Sequence, residues 1–143
     1  MLSIAAREAN IVGINHKTTA EGGLDFASAT AEATDQKIAW VREAAGARFH
    51  DLELNVLVFP VVTDQPRQAA EQLLRKWKRP TDEASIDGFL AESPSLFGTV
   101  DQIVENLQAR RQRFGLSYIA IGEYFQADVM ERFAPVIARL AGT

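Results

Sequence analysis

Apolar residues recur along this chain with two periods in turn, about 3.6 and about 2, the signature of helices interleaved with strands. Ser3 to Ala9 reads as the end of a helix that Asn10 breaks, and Ile11-Val12-Gly13-Ile14 as a first short buried strand. A polar stretch containing Gly22-Gly23 runs from Asn15 to Asp25. Thr34 is placed to cap a helix that carries Ile38, Val41 and Ala45 on one face and stops at Gly46. Leu52 to Val62 is the longest strand candidate, with Leu54, Val56 and Val58 alternating against Asn55, Leu57 and Phe59. Pro60 has no N–H to offer a ladder and belongs at a bulge or a strand end. Asp64 caps a helix through Pro66, Ala70, Leu73, Leu74 and Trp77; Arg79 to Asp82 punctuates, and Ile86 to Ala91 forms a short amphipathic piece. A closing helix presents Phe133, Val136, Ile137 and Leu140 on one stripe, with Pro135 either opening its main body or kinking it.

The unit from Ser93 to Ile121 is the best specified. Gly98-Thr99 reads as a tight turn. The Thr99 hydroxyl can accept from a backbone N–H that the first helical turn leaves unpaired, and Gln102 can reach back to the Thr99 N–H to complete a capping box. Ile103, Val104, Leu107 and Phe114 then share roughly one face, against Glu105, Gln108, Arg111 and Gln112 on the other. Gly115 stands where a left-handed residue ends a helix, and Tyr118 to Ile121 is a strand suited to burial on both faces. Taken locally, these signals fit a helix–strand pair of any α/β protein.

Strands alternating with helices predict an α/β fold with a parallel sheet and right-handed crossovers. Ile11–Ile14, Leu54–Phe59 and Tyr118–Ile121 are expected side by side in it. A chain of 143 residues suits a single domain, 1–143, able to bury roughly two-thirds of its unfolded surface. The formal charge of -4 argues against a dominant nucleic-acid or anionic-membrane surface. Without cysteine, neither disulfides nor thiolate chemistry is open to it, and His16 and His50 form no zinc-ligand spacing, so no metal site is expected. No apolar run approaches the ~20 residues of a membrane span, and the start lacks a basic-then-apolar signal; a cytoplasmic soluble protein is expected.

The run Ser93-Pro94-Ser95-Leu96-Phe97-Gly98-Thr99-Val100-Asp101-Gln102, continuing to Gly115 and into Ser117-Tyr118-Ile119-Ala120-Ile121, resembles the last barrel unit of luciferase-like monooxygenases. These are flavin- or deazaflavin (coenzyme F-420)-dependent oxidoreductases on a (β/α)8 TIM barrel. Ala5-Ala6-Arg7-Glu8-Ala9-Asn10-Ile11-Val12-Gly13 resembles the helix-to-strand step after that family's glycine-rich phosphate-binding turn. Ala39 to Gly46, with Leu52-Glu53-Leu54, resembles the next helix and strand. The resemblance covers nearly the whole chain and implies that the three strands are the sixth, seventh and eighth of the barrel, its C-terminal half. FMN or coenzyme F-420 is the cofactor it implies for the parent enzyme, and whether this chain binds either stays open. It also implies that the family's phosphate-binding turn and the early strands that act on substrate lie upstream of Met1. No position here inherits those roles, and catalytic residues stay unassigned.

What the chain retains are the loops at the C-terminal ends of its strands, where barrel enzymes build their sites. These are Asn15-His16-Lys17, Val62-Thr63-Asp64 and Gly122-Glu123-Tyr124, and the cofactor-binding candidates are Asn15, His16, Lys17, Gly122 and Glu123. His16 and Lys17 can donate to an anionic tail or a carbonyl, against the plainer reading of a solvated pair. Glu123 is a general base if burial raises its pKa, and otherwise a surface carboxylate. Thr63-Asp64 suits capping, Trp40 and Trp77 suit packing, and Arg110, Arg111 and Arg113 form a solvated charge run near a helix C-terminus. Gly22-Gly23 has no GxGxxG pattern around it. Two function classes stand: the C-terminal portion of a luciferase-like oxidoreductase, inactive without its N-terminal half, and a non-catalytic half-barrel remnant or partner subunit acting through self-association. In either, sheet edges and an inner face left open predict a homo-oligomer, most simply a two-fold dimer.

Overall fold

The computed structural model describes residues 1–20, 24–122 and 128–142. In chain order the elements are α1 (Leu2–Glu8), β1 (Ile11–Gly13), β2 (Lys17–Thr18), β3 (Leu24–Asp25), α2 (Ala31–Ala45), β4 (Glu53–Val62), α3 (Pro66–Lys76), α4 (Glu83–Ala91), β5 (Ser95–Gly98), α5 (Val100–Phe114), β6 (Leu116–Ile121) and α6 (Val129–Leu140). Short 3-10 turns cover Phe26–Ala29 and Gly46–Asp51. Among the described residues no helix is long and apolar enough to cross a membrane.

β4 is the spine of a parallel sheet, paired with β1, β5 and β6. Backbone groups of successive strand residues point to opposite edges, so the hydrogen bonds tell which neighbour lies where. Glu53 N donates to the Asn10 carbonyl at 2.9 Å, and Ile14 N to the Asn55 carbonyl at 2.7 Å, so the odd-numbered groups of β4 face β1. Phe59 N donates to the Pro94 carbonyl and Thr63 N to the Gly98 carbonyl, both at 2.8 Å, so the same edge serves β5 further along. The even-numbered groups face β6, where Gly122 N donates to the Val58 carbonyl at 2.8 Å. The three expected strands are therefore neighbours and parallel.

Side chains sort by the same parity. Leu54, Val56, Val58 and Pro60 of β4 are buried, and they join Val12, Ile14 and Leu116 beneath helices α1, α2, α5 and α6 in the main core. The opposite face carries Ile11, Asn55, Leu57, Phe59 and Tyr118, half-buried or exposed. Ile11 and Tyr118 keep 49% and 46% of their surface in water. Helices α1, α2, α5 and α6 cover the face of Leu54, Val56 and Val58, and among the described residues no strand pairs with the outer edges of β1 and β6; the sheet is open and does not close on itself.

Several local expectations shift. Ser95–Gly98, leading into the Gly98-Thr99 turn, is a fourth strand of the sheet, β5, beyond the three expected, and a small antiparallel β2–β3 pair occupies part of the polar stretch after β1. The α2 cap is Thr30, whose hydroxyl accepts from Ala33 N at 3.1 Å, while Thr34 is fully buried and donates back to the Thr30 carbonyl. Pro60 sits inside the ten-residue β4, not at its end. It fits there because its nitrogen faces the β6 edge two residues beyond the Val58–Ile121 match, and the β5 ladder draws on odd-numbered groups. Pro135 lies inside α6 and does not open it.

The capping box forms as expected. Thr99 N donates to Gln102 Oε1 at 2.9 Å and Gln102 N to Thr99 Oγ1 at 3.3 Å, and Gly115 ends the helix. Gly98 makes the fold-back possible: at its φ of +149°, a Cβ would lie 2.8 Å from Gln102 Oε1. Thr99→Ala is expected to cost about 1 kcal/mol, read as a lowered urea midpoint at unchanged slope. An unchanged midpoint would show that water replaces the cap freely.

Candidate functional site

Ile14 leaves β1 bonded to Asn55, and the chain then turns over the C-terminal end of the strand. The Asn15 carboxamide Oδ1 accepts from Leu57 N at 2.8 Å, standing in for a strand partner in the gap between the β1 and β5 pairings. The loop backbone is held from below. Lys37, on α2 and only 5% exposed, donates through Nζ to the Asn15 carbonyl at 2.9 Å and to the Ser28 carbonyl at 2.6 Å. Ser28 Oγ accepts from Lys17 N at 2.7 Å and donates to the Asp25 carbonyl at 2.7 Å. Burial and then the nearby Lys17 charge lower the Lys37 pKa, while Asp25 opposes them. Burial, followed by the Lys37 charge, holds the His16 imidazole below the usual histidine range. Asn15 and Lys37 are thus engaged in holding the loop, Lys17 is exposed, and His16 is partly exposed beside them.

Gly122 stands across β4 from Asn15. Its N–H meets Val58 while Asn15 meets Leu57, so the two loops flank one short stretch of the central strand, about 10 Å apart at two strand spacings. The Phe59 ring fills the space over Gly122: an added Cβ would fall 2.4 Å from Phe59 Cε1. Gly122 is therefore closely packed, with no room for a side chain. Glu123 and Tyr124 lie outside the described residues, as does the Gly22-Gly23 pair. In the third loop Thr63 Oγ1 accepts from Gln65 N at 3.0 Å, but the cap residue of α3 is Gln65 and no side chain caps it, contrary to the capping role expected of Thr63-Asp64.

Two buried cations were not legible as such. Arg110, read as part of a solvated run, is 9% exposed and donates to the Ser93 carbonyl through Nη1 and to the Ser95 carbonyl through Nη2, the latter at 2.6 Å. Those odd-numbered carbonyls point away from β4, so the guanidinium replaces a further strand along the edge of β5. Desolvation lowers its pKa to about 10, which leaves it charged at neutral pH. The signal was its place in the 103–107–110–114 stripe, where a charge needs a partner. Lys37 likewise falls between Thr34 and Val41 on the buried side of α2. Arg113, by contrast, is exposed and pairs with Asp35 of α2 at 2.7 Å.

A second core lies under β5, where α3 and α4 enclose Leu74 and Phe89, with Trp77 packed edge-on against Phe89, as its helical spacing predicted. Trp40 is 46% exposed. Arg79 lies 3.6 Å from the Phe26 ring centroid and 3.5 Å from Glu92 Oε1. Burial raises the Glu92 pKa to about 7 against the pull of Arg79, and its Oε2 finds no partner among the described residues. This pair stands at the N-terminal approach to β5, away from the strand ends that carry loops in barrel enzymes, and its enclosure between aromatic rings suits an internal ion pair.

The fold is similar to that of the monooxygenase RslO1 from Streptomyces bottropensis, with a TM-score of 0.60 at 17% identity, over 96% of this chain and 44% of that one. The chain thus spans less than half the length of that enzyme, and at this identity the likeness is one of fold. No protein-family model and no curated protein matches the chain.

Proposed function

We propose that this chain is the C-terminal portion of a luciferase-like, flavin- or deazaflavin-dependent oxidoreductase, and that by itself it supplies part of a ligand site and self-associates through its open sheet face. The observation that carries the reading is the braced loop Asn15–Lys17 at the C-terminal end of a parallel strand, in a wall whose shape follows part of a monooxygenase. FMN or coenzyme F-420 fits this chain only in part. Exposed Lys17 and partly exposed His16 can meet anionic or carbonyl oxygens, but the described residues form no backbone cradle for a phosphate, and Phe59 occupies the space at Gly122. The cofactor would carry the redox chemistry; the loop would orient it by hydrogen bonds. No proton transfer is assigned to a residue of this chain.

FMN titration followed by amide chemical shifts tests the reading. Weak binding is expected, with perturbations centred on Asn15 to Lys17 and Gly122. Perturbations centred on the opposite strand ends, near Asn10 and Leu52, would overturn it, as would no binding at millimolar FMN. Self-association is the second part of the reading, favoured by the exposed Ile11 and Tyr118 on the open face.

A further inference from the structure

We propose that Lys37 is a positioning residue for the loop Asn15–Lys17, its ammonium tying the Asn15 carbonyl to that of Ser28 so that His16 stands fixed at the C-terminal end of β1 as a hydrogen-bonding group for an oxygen-rich ligand. The ligand clause rests on the function proposed above; the positioning does not. A lysine 5% exposed is uncommon, because both its charge and its stem must be accommodated. Here two carbonyls from segments 13 residues apart in sequence converge on Nζ, at 2.9 and 2.6 Å. The same Ser28 takes the Lys17 N–H, and the same Asn15 reaches Leu57 N through its side chain. Three hydrogen bonds therefore anchor the two ends of a three-residue loop with His16 at its centre, and the Lys37–Ser28 bond ties the anchors together.

Lys17 of the same loop and Asp25 of β3 act on Lys37, and on His16 itself act burial and the Lys37 charge from α2. They favour the neutral imidazole, which can donate from one nitrogen and accept at the other. A ligand carbonyl or hydroxyl suits such a group better than a bare phosphate.

The experiment uses the whole chain with His50→Gln, leaving His16 as the sole histidine to follow by NMR. In Lys37→Met, the His16 titration midpoint is expected to rise and the Leu57 and Lys17 amides to lose exchange protection about tenfold or more, while unfolding stays cooperative. Lys37→Arg, which keeps the charge and can still reach a carbonyl, should retain most of both, and it serves if the Met variant does not fold. Unchanged amide protection and an unchanged His16 midpoint in Lys37→Met would overturn the proposal, as would loss in Lys37→Arg as large as in Lys37→Met. FMN affinity measured on the same variants should fall about tenfold in Lys37→Met. If the parent chain binds no FMN, the function reading fails while amide protection and titration still decide the role of Lys37.

Discussion

In sedimentation equilibrium at micromolar concentration, this chain is expected to run at twice its 15.7 kDa. Among the described residues no strand lies beyond the outer edges of β1 and β6, and the face of β1, β4 and β6 opposite the main core is half-buried or exposed. That face holds Ile11, Leu57 and Tyr118, with Asn55 and Asn15 as the polar groups nearest them. Two copies related by a two-fold axis along the strands would each lay this face over the other and set the β1 edge of one beside the β6 edge of its partner. A stable interface needs ~800 Å² per partner, and a dissociation constant of about 1 μM corresponds to about 8 kcal/mol. Leu57→Lys places a charge at the centre of the face while leaving the Leu57 N–H free to bond Asn15. It is expected to give a folded monomer. A wild-type monomer that unfolds cooperatively would sink the assembly reading, and so would a dimer indifferent to Leu57→Lys.

Arg110→Met should lower stability by about 3 kcal/mol. Two hydrogen bonds to a cation are worth roughly 1.5–3 kcal/mol each, and the returned cost of burying the charge offsets part of their sum. The Ser93 and Ser95 carbonyls point away from β4, at and just before the start of β5, and the guanidinium meets both. Exposed Gln108 on the same helix is the control, with Gln108→Met expected within about 0.5 kcal/mol of the parent. Arg110→Lys should fall between the two, since one ammonium lacks the planar fork that serves two carbonyls. Equal urea midpoints for Arg110→Met and Gln108→Met would mean that water satisfies those carbonyls.

Local rules reached far into this fold. The alternation of Leu54, Val56 and Val58 with Asn55, Leu57 and Phe59 gave the two faces of β4 correctly, because side-chain direction in a strand has a fixed period. Thr99, Gln102 and Gly115 bounded α5 correctly, because capping is settled by residues three or four positions apart. The start of α2 was read one turn late: Thr34 suits an N-cap by its type, but the helix begins at the Thr30 cap and packing buries Thr34 within it.

The place of the loop Asn15–Lys17 after its strand was legible, and the contacts that hold it were not. Asn15, His16 and Lys17 do follow a parallel strand, yet Asn15 is a structural brace, Lys17 N is bound by Ser28, and only His16 is left with its side chain between the anchors. The Asn15 brace comes from Leu57, 42 positions away, and Lys37 lies 22 positions from the carbonyl it holds. β5 is a strand only because β4 runs on past the end of β1 and offers it an unpaired edge, and Arg110 is buried only because β5 then needs donors on its far side. Periodicity and caps are written in neighbours along the chain. The partner of a buried charge or of a free strand edge is supplied by whatever segment the tertiary structure brings alongside, and no local pattern encodes it.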